Sequence, residues 1–139
     1  MLAGVKRALC LFAGALTLAA CDSGGSDTDP KAIKGAPKQV AAAVAALDSA
    51  TRAGRWDEIC DRLFTRSARV RAGGGDCAEL LRAATEDVRR PRVRLLSIRI
   101  KGHTAEARVR TRSAGESAVD ETIVLRRERG RYRIASLSP

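Results

Sequence analysis

Two hydrophobic periods divide the chain. From Pro37 the apolar positions recur every three or four residues, which predicts an amphipathic helix over about residues 37–53 with Gly54 at its C-terminal cap. From Arg92 onward apolar and polar residues alternate, which is typical of half-buried strands. The pattern therefore predicts an α+β domain in which helices come first and a sheet follows.

Two more helices are expected before the sheet. The second has one apolar face, formed by Trp56, Ile59, Cys60, Leu63 and Phe64. Residues 66–75 are polar and rich in glycine, so they predict a loop. The third helix is expected to start after a capping Asp76 and to stop at Pro91. Its expected buried face consists of Cys77, Leu80, Leu81, Ala84 and Val88.

The alternating segments 92–101, 104–112, 118–127 and 131–137 predict four antiparallel strands in a meander. Leu95 and Leu96 are adjacent and break the alternation, which predicts a β-bulge. The residues expected on the buried face are Ala105, Ala107, Val109, Val119, Ile123, Leu125, Tyr132 and Ile134.

The N-terminal segment has the layout of a secretory signal. Lys6 and Arg7 precede an uncharged run, residues 8–20, that is shorter than the roughly 20 residues of a membrane span. Its end, Leu-Ala-Ala-Cys at residues 18–21, resembles the lipobox of bacterial lipoproteins. That resemblance implies cleavage between Ala20 and Cys21 and a lipid on the Cys21 thiol. An ordinary signal peptide that happens to be cleaved beside a cysteine is the alternative.

The expected organisation is therefore a signal peptide at residues 1–20, a lipidated Cys21 with a flexible tether to residue 36, and one domain from residue 37 to 139. The tether is predicted from its Gly, Ser and Asp residues and from its lack of hydrophobic periodicity. The expected location is the exported face of the cell membrane, with the lipid as the anchor.

Cys60 and Cys77 remain in the mature chain after Cys10 is removed and Cys21 is lipidated. In an exported protein two remaining cysteines favour one disulfide. A zinc site or a catalytic thiol would need histidine partners, and His103, the sole histidine, falls in an expected turn. No metal and no cofactor are expected.

Two further segments, AGRWDEIC at residues 53–60 and LRRERGRYRI at residues 125–134, resemble nuclear transport factor 2-like domains, in particular small exported members from GC-rich bacteria. The resemblance implies three helices packed on a curved four-stranded sheet that forms a cone, as in ketosteroid isomerase. It also implies the pairing of Cys60 with Cys77. The family includes isomerases, cyclases, dehydratases and binding domains, so the fold alone decides no chemistry.

An enzyme in such a cone would need an acid or base directed into the apolar pocket. Glu121 is the one candidate inward carboxylate, and it lies near a strand start. The expected function is therefore non-catalytic binding of a partner protein or a small apolar ligand, and an isomerase or cyclase is the alternative. The candidate pocket or core anchors are the aromatic residues Trp56, Phe64 and Tyr132. Trp56 is expected to be the main anchor of the core.

The 139 residues include 26 Lys and Arg against 16 Asp and Glu, a formal charge of +10. An arginine-rich sheet face could dock an anionic envelope partner or lie against anionic phospholipid, or it could be a solvated face that also carries Glu106, Asp120 and Glu128. Nucleic acid is not an expected partner for an exported, lipid-anchored protein. The candidate basic surface consists of Arg99, Arg108, Arg110, Arg112, Arg131 and Arg133.

Overall fold

The structure is a computed structural model and describes residues 35–138. The expected signal peptide, the lipobox with Ala20 and Cys21, and most of the expected tether lie outside these residues. Within them the chain is an α+β unit of helices followed by one sheet. The helices are α1 (Ala36–Arg52), α2 (Trp56–Glu58), α3 (Arg66–Arg71) and α4 (Cys77–Ala84). The strands are β1 (Arg92–Lys101), β2 (Thr104–Arg112), β3 (Val119–Glu128) and β4 (Arg131–Ser138).

The first helix agrees with its prediction to within one residue at each end. Pro37 lies in its first turn, where the missing N–H costs no helical hydrogen bond. At the other end Gly54 adopts a φ of 64°, and the N–H of Arg55 donates to the carbonyl of Ala50 at 2.9 Å. This is the Schellman arrangement that favours glycine after a helix.

The middle of the chain differs from the prediction. The second helix continues from α2 into a π-helical turn, Ile59–Leu63, and the predicted loop contains α3. Thr65 caps α3 by accepting a hydrogen bond from the N–H of Ala68, whose side chain is buried. The sequence shows no helical hydrophobic period over α3, because Ala68 is its one buried side chain.

The third predicted helix, α4, ends at Ala84 and not at Pro91. Leu80 is 53% exposed and Val88 is 40% exposed, so the prediction that both are buried was wrong, as it was for Ala84. Val88 lies beyond the helix, where the helical period no longer applies. Cys77 is buried and Leu81 is half-buried, and they form the inner face of α4.

The sheet has the strand order β1-β2-β3-β4, and all neighbours are antiparallel. The predicted bulge is confirmed, because the pairing of β1 with β2 shifts between Leu95 and Ser97 and leaves Leu96 without a partner in the register. A second shift occurs between Val124 and Leu125 in the pairing of β3 with β4.

The inner face of the sheet packs against α1, and the core lies between them. Of the residues predicted on this face, Val119 is 50% exposed because it begins β3 at the end of the sheet. The others are buried as predicted: Ala105, Ala107, Val109, Ile123, Leu125, Tyr132 and Ile134. From α1 the buried residues are Val40, Ala41, Ala43, Val44, Leu47 and Ala50.

The predicted disulfide joins Cys60, in the π-helical turn, to Cys77 at the start of α4. The same turn is fixed to the sheet, because the N–H of Thr65 donates to the carbonyl of Ile134 at 2.8 Å. Over residues 35–138, no helix has both the length and the apolar character needed to cross a membrane.

Candidate functional site

A crevice of about 720 Å³ lies beside Trp56. It is formed by the end of α1, the start of α2 and the segment that leads from α4 into β1. The apolar part of its wall comes from Gly54, Trp56, Val88 and Pro91. Its polar lining includes three cations, Arg52, Arg90 and Arg92. The crevice therefore combines an aromatic surface with a positive rim.

The turn after α1 presents Trp56 to this crevice. A Cβ placed on Gly54 would lie 3.8 Å from Nε1 of Trp56, so the indole rests close to the turn. Trp56 is half-buried, whereas Ile59 and Cys60 that follow it are buried. The expectation that Trp56 is the main anchor of the core is therefore not met, and its indole is divided between packing and the crevice.

Asp48 links α1 to the start of β1, and these two elements lie on either side of the crevice. One of its carboxylate oxygens accepts a hydrogen bond from the N–H of Val93 at 2.8 Å, and the other pairs with Arg52 at 3.0 Å. These contacts tie the start of β1 to the last turns of α1, so the gap between the two elements has a defined width.

The wall of the crevice contains a strained residue. Arg90, directly before Pro91, has a φ of 49°, which side chains other than glycine rarely adopt. The conformation costs on the order of 1 kcal/mol or more and is held by the surrounding contacts, such as the 2.7 Å hydrogen bond from the N–H of Ala114 to the carbonyl of Arg89. Strain of this kind is more frequent at binding sites than elsewhere.

The other two candidate aromatic residues belong to the core. Phe64 is 9% exposed and Tyr132 is 6% exposed. The hydroxyl of Tyr132 lies 3.5 Å from the carbonyl oxygen of Gly102, at the outer limit of a hydrogen bond. Neither residue lines the crevice beside Trp56.

Glu121, the candidate acid, is half-buried near the start of β3 and lies opposite Val109. Tyr132 lies opposite Arg127, which is six residues beyond Glu121 on β3. Glu121 and Tyr132 are therefore separated by about 20 Å along the sheet. His103 is exposed in the turn between β1 and β2. Across residues 35–138 no cluster of histidine, cysteine and carboxylate side chains could hold a metal ion. The structure thus separates the residues that an acid–base pair would require.

The outer face of the sheet carries basic side chains on three adjacent strands. In the register of β1 and β2, Arg92 lies opposite Arg112 and Arg94 lies opposite Arg110. We call this surface the arginine face and define it by eight exposed residues: Arg92, Arg94, Arg99, Lys101, Arg108, Arg110, Arg112 and Arg126.

Two carboxylates lie among these cations. Asp120 receives two hydrogen bonds from Arg110, at 2.6 Å and 3.0 Å, and lies 3.7 Å from Arg108. The hydrogen bond from Arg110 lowers the pKa of the Asp120 carboxyl below its usual value and raises the pKa of the Arg110 guanidinium. Glu106 lies 3.7 Å from Arg99. Asp120 is thus shared by Arg110 and Arg108, whereas Glu106 contacts Arg99.

Arg131 and Arg133, the remaining predicted basic residues, lie on the edge strand β4. Arg133 donates to the backbone carbonyls of Asp61 and Phe64 at 3.1 Å and 3.4 Å, so it holds the π-helical turn against the strand. Arg131 is exposed opposite Glu128 and lines another cavity, of about 590 Å³, beside Tyr132. In the register of β3 and β4, Arg133 lies opposite Arg126, so β4 continues the basic surface at the edge of the sheet.

Sequence reasoning missed both Arg94 and the segment that closes the crevice. The bulge at Leu96 brings Arg94 and Arg99, which have opposite parity in the sequence, to the same face, so the predicted bulge was the signal that could have found Arg94. For Val88 and Arg90 no sequence signal was available, because the predicted helix continued through them as far as Pro91.

Comparisons of the chain with protein-family models, with curated proteins and with solved structures find no match.

Proposed function

We propose that the protein is a lipid-anchored, exported binding domain that holds a small apolar ligand with an acidic group in the crevice beside Trp56. The anchor is Cys21, and the basis for it is the lipobox at residues 18–21. The domain has the nuclear transport factor 2-like cone architecture. In support, the helices precede a four-stranded antiparallel sheet, α1 covers its inner face, and β1 contains a bulge, the feature that bends sheets.

The observation that carries the proposal is the half-buried indole of Trp56 in a crevice of about 720 Å³. Ligand sites are concave and mostly apolar, with a few polar groups that fix the orientation of the ligand. Val88, 40% exposed, and Pro91 add apolar surface to the indole. An apolar ligand would cover these side chains and remove them from water.

The positive rim supplies the second part of the ligand's chemistry. Arg90 and Arg92 line the crevice together with Arg52, which already pairs with Asp48. Guanidinium groups bind carboxylate and phosphate groups through paired hydrogen bonds. A ligand with an apolar body and one acidic group therefore matches both parts of the wall.

Binding without catalysis is favoured over the isomerase or cyclase alternative. The inner face of the sheet, where a cone enzyme would hold its substrate, is filled by buried side chains that include Ala107, Val109 and Leu125. Glu121 and Tyr132 would have to act together in that alternative, and they lie far apart along the sheet.

The chain contains one tryptophan, so its fluorescence reports on this crevice directly. Titration with dodecanoate is expected to shift the emission of Trp56 to shorter wavelengths, with tighter binding than dodecanol, which lacks the charge. Val88→Asp places a carboxylate in the apolar wall and should weaken dodecanoate binding at least about tenfold.

Val119→Asp is the matched control, because Val119 is similarly exposed and does not line the crevice. It should bind dodecanoate as the parent protein does. Dodecanoate that leaves the emission unchanged, or equal binding by Val88→Asp and the parent, would show that the crevice is not the site.

A further inference from the structure

We infer that the arginine face is a docking surface for anionic phospholipid headgroups, so that the domain lies with the outer side of its sheet on the membrane. This surface meets the ligand crevice at Arg92, which belongs to both, and it adds a second interaction to the proposed function. The observation that carries the inference is the exposure of eight basic side chains on one face of the sheet, with Arg92 directly opposite Arg112 on the neighbouring strand.

Such pairs do not stabilise the sheet. Residues directly opposite on antiparallel strands have Cα atoms about 4.5–5.5 Å apart, and like charges at that distance repel each other. Asp120 offsets part of the positive charge of the face through Arg110, and it also lies 3.7 Å from Arg108. An anionic partner on the face would neutralise the remaining charge.

The shape of the face favours a membrane over a small anion. Its basic side chains are exposed along β1, β2 and β3, and the side chains between them include Ser97, Thr104 and Thr122. A broad, exposed array of guanidinium groups suits many phosphate groups spread over a surface, because each guanidinium can bind one phosphate with two hydrogen bonds. A second copy of the chain would bring the same positive charge to the face and be repelled.

The tether would bring the face within reach of lipid, and this step rests on the proposed lipidation of Cys21. The 13 residues at positions 22–34 include Gly, Ser and Asp. A flexible chain of that length spans roughly 20 Å on average. A tether of that length allows the domain to reach the bilayer surface, where the charged face lies within one Debye length, about 8–10 Å, and is attracted to the lipid.

The test uses the full chain with Cys21→Ser, so that lipidation makes no contribution and its failure can be distinguished from a failure of the face. Binding is measured by flotation with vesicles of phosphatidylcholine alone and with vesicles that also contain phosphatidylglycerol. We expect binding to the second kind only, and we expect added salt to release the protein.

Two triple variants with the same change in net charge locate the surface. Arg94→Gln with Arg108→Gln and Arg112→Gln should lower the partition coefficient to phosphatidylglycerol vesicles about 100-fold, or roughly fivefold for each arginine. Lys38→Gln with Arg62→Gln and Arg82→Gln changes the helices instead, where each residue is exposed. This control should change partitioning less than about fivefold in total, because helical charges are screened from a bilayer on the other side.

The melting temperature of the face variant is the second readout. It should stay well above the temperature of the flotation assay, because Gln at these exposed positions removes repulsion between strands together with the contact of Arg108 with Asp120. Equal losses in the two triple variants, or binding to polyglutamate as tight as to the anionic vesicles, would overturn the inference, and the second result would assign the face to an acidic protein.

Discussion

At the scale of single residues, burial separates two aromatic side chains that the sequence makes equivalent. Trp56 and Phe64 occupy the same expected apolar stripe, eight residues apart. The structure buries Phe64 against β4 and leaves Trp56 half-buried beside the crevice. The energetic consequences of removing each side chain should differ accordingly, since the stabilisation follows the apolar area withdrawn from water.

Trp56→Ala is expected to lower the free energy of unfolding by less than about 1.5 kcal/mol, because part of the indole is already in contact with water. Phe64→Ala is expected to lower it by about 3–5 kcal/mol, the usual range for a buried aromatic side chain. Urea denaturation followed by circular dichroism measures both. Equal losses would identify Trp56 as a core anchor.

The glycines of the loop before α4 offer a second comparison. Gly73 has a φ of 110°, and a Cβ there would come within 2.4 Å of Cδ1 of Leu80. Leu80 is exposed and can move, so the positive φ is the main reason that Gly73→Ala should destabilise the protein by about 1–3 kcal/mol. A Cβ placed on Gly75 would meet open space, so Gly75→Ala should be neutral or slightly stabilising. Thermal melts distinguish the two, and a neutral Gly73→Ala would contradict the described backbone.

At the scale of elements, short segments are held by links to distant ones. The disulfide between Cys60 and Cys77, 17 residues apart, joins the π-helical turn to α4, and Thr65 joins the same turn to β4. Neither α2 nor α3 is long enough to be stable alone. Their positions therefore depend on these cross-links and on the buried side chains of Ile59 and Ala68.

Reduction of the disulfide is expected to lower the free energy of unfolding by about 3 kcal/mol, because the open chain regains the entropy of a loop of this length. The measurement is urea denaturation with and without reductant. A Cys60→Ala, Cys77→Ala double variant should not respond to reductant. Non-reducing peptide mapping that recovers both thiols alkylated would show that the bond does not form.

The ion pair between Arg110 on β2 and Asp120 on β3 should make the free energy of unfolding depend on pH. Because the pKa of Asp120 is lowered in the folded protein, its stabilising effect is complete above the usual value of about 4 and is lost as the pH falls through the lowered value. The difference in melting temperature between the parent and Asp120→Asn should therefore shrink below about pH 4. A constant difference would show that the carboxylate makes no such contribution.

At the scale of the whole molecule, the two sides of the sheet have opposite chemistry. The inner side is filled by α1 and by apolar side chains, and the outer side carries the arginine face. A domain with these two sides would be oriented by an anionic surface and retained near it by a lipid anchor.

Cys21→Ser is expected to abolish fatty-acid labelling and to let a high-salt wash remove the protein from the membrane fraction of a bacterial host, because one lipidated cysteine is the proposed anchor. Metabolic labelling with a fatty acid, followed by fractionation and a high-salt wash, makes the measurement. Cys60→Ala serves as the control and should keep its label. A labelled Cys21→Ser protein would place the lipid elsewhere.

The sequence alone determined that helices precede a four-stranded antiparallel sheet, the bounds of α1 to within one residue, the bounds of β1, the bulge and the disulfide pair. These features depend on local hydrophobic period, on turn residues and on the count of available cysteines. They are therefore encoded over a few neighbouring residues.

Only the tertiary structure decided where α4 ends, that residues 66–71 form a helix, and that Trp56 faces a crevice. The crevice and the position of α3 depend on contacts between segments far apart in sequence, Asp48 with Val93 and Thr65 with Ile134. The crevice exists because Asp48 holds α1 and β1 at a set distance while the chain between α4 and β1 leaves the helix early. The spacing between separate elements is a property of their packing, which local periodicity does not contain.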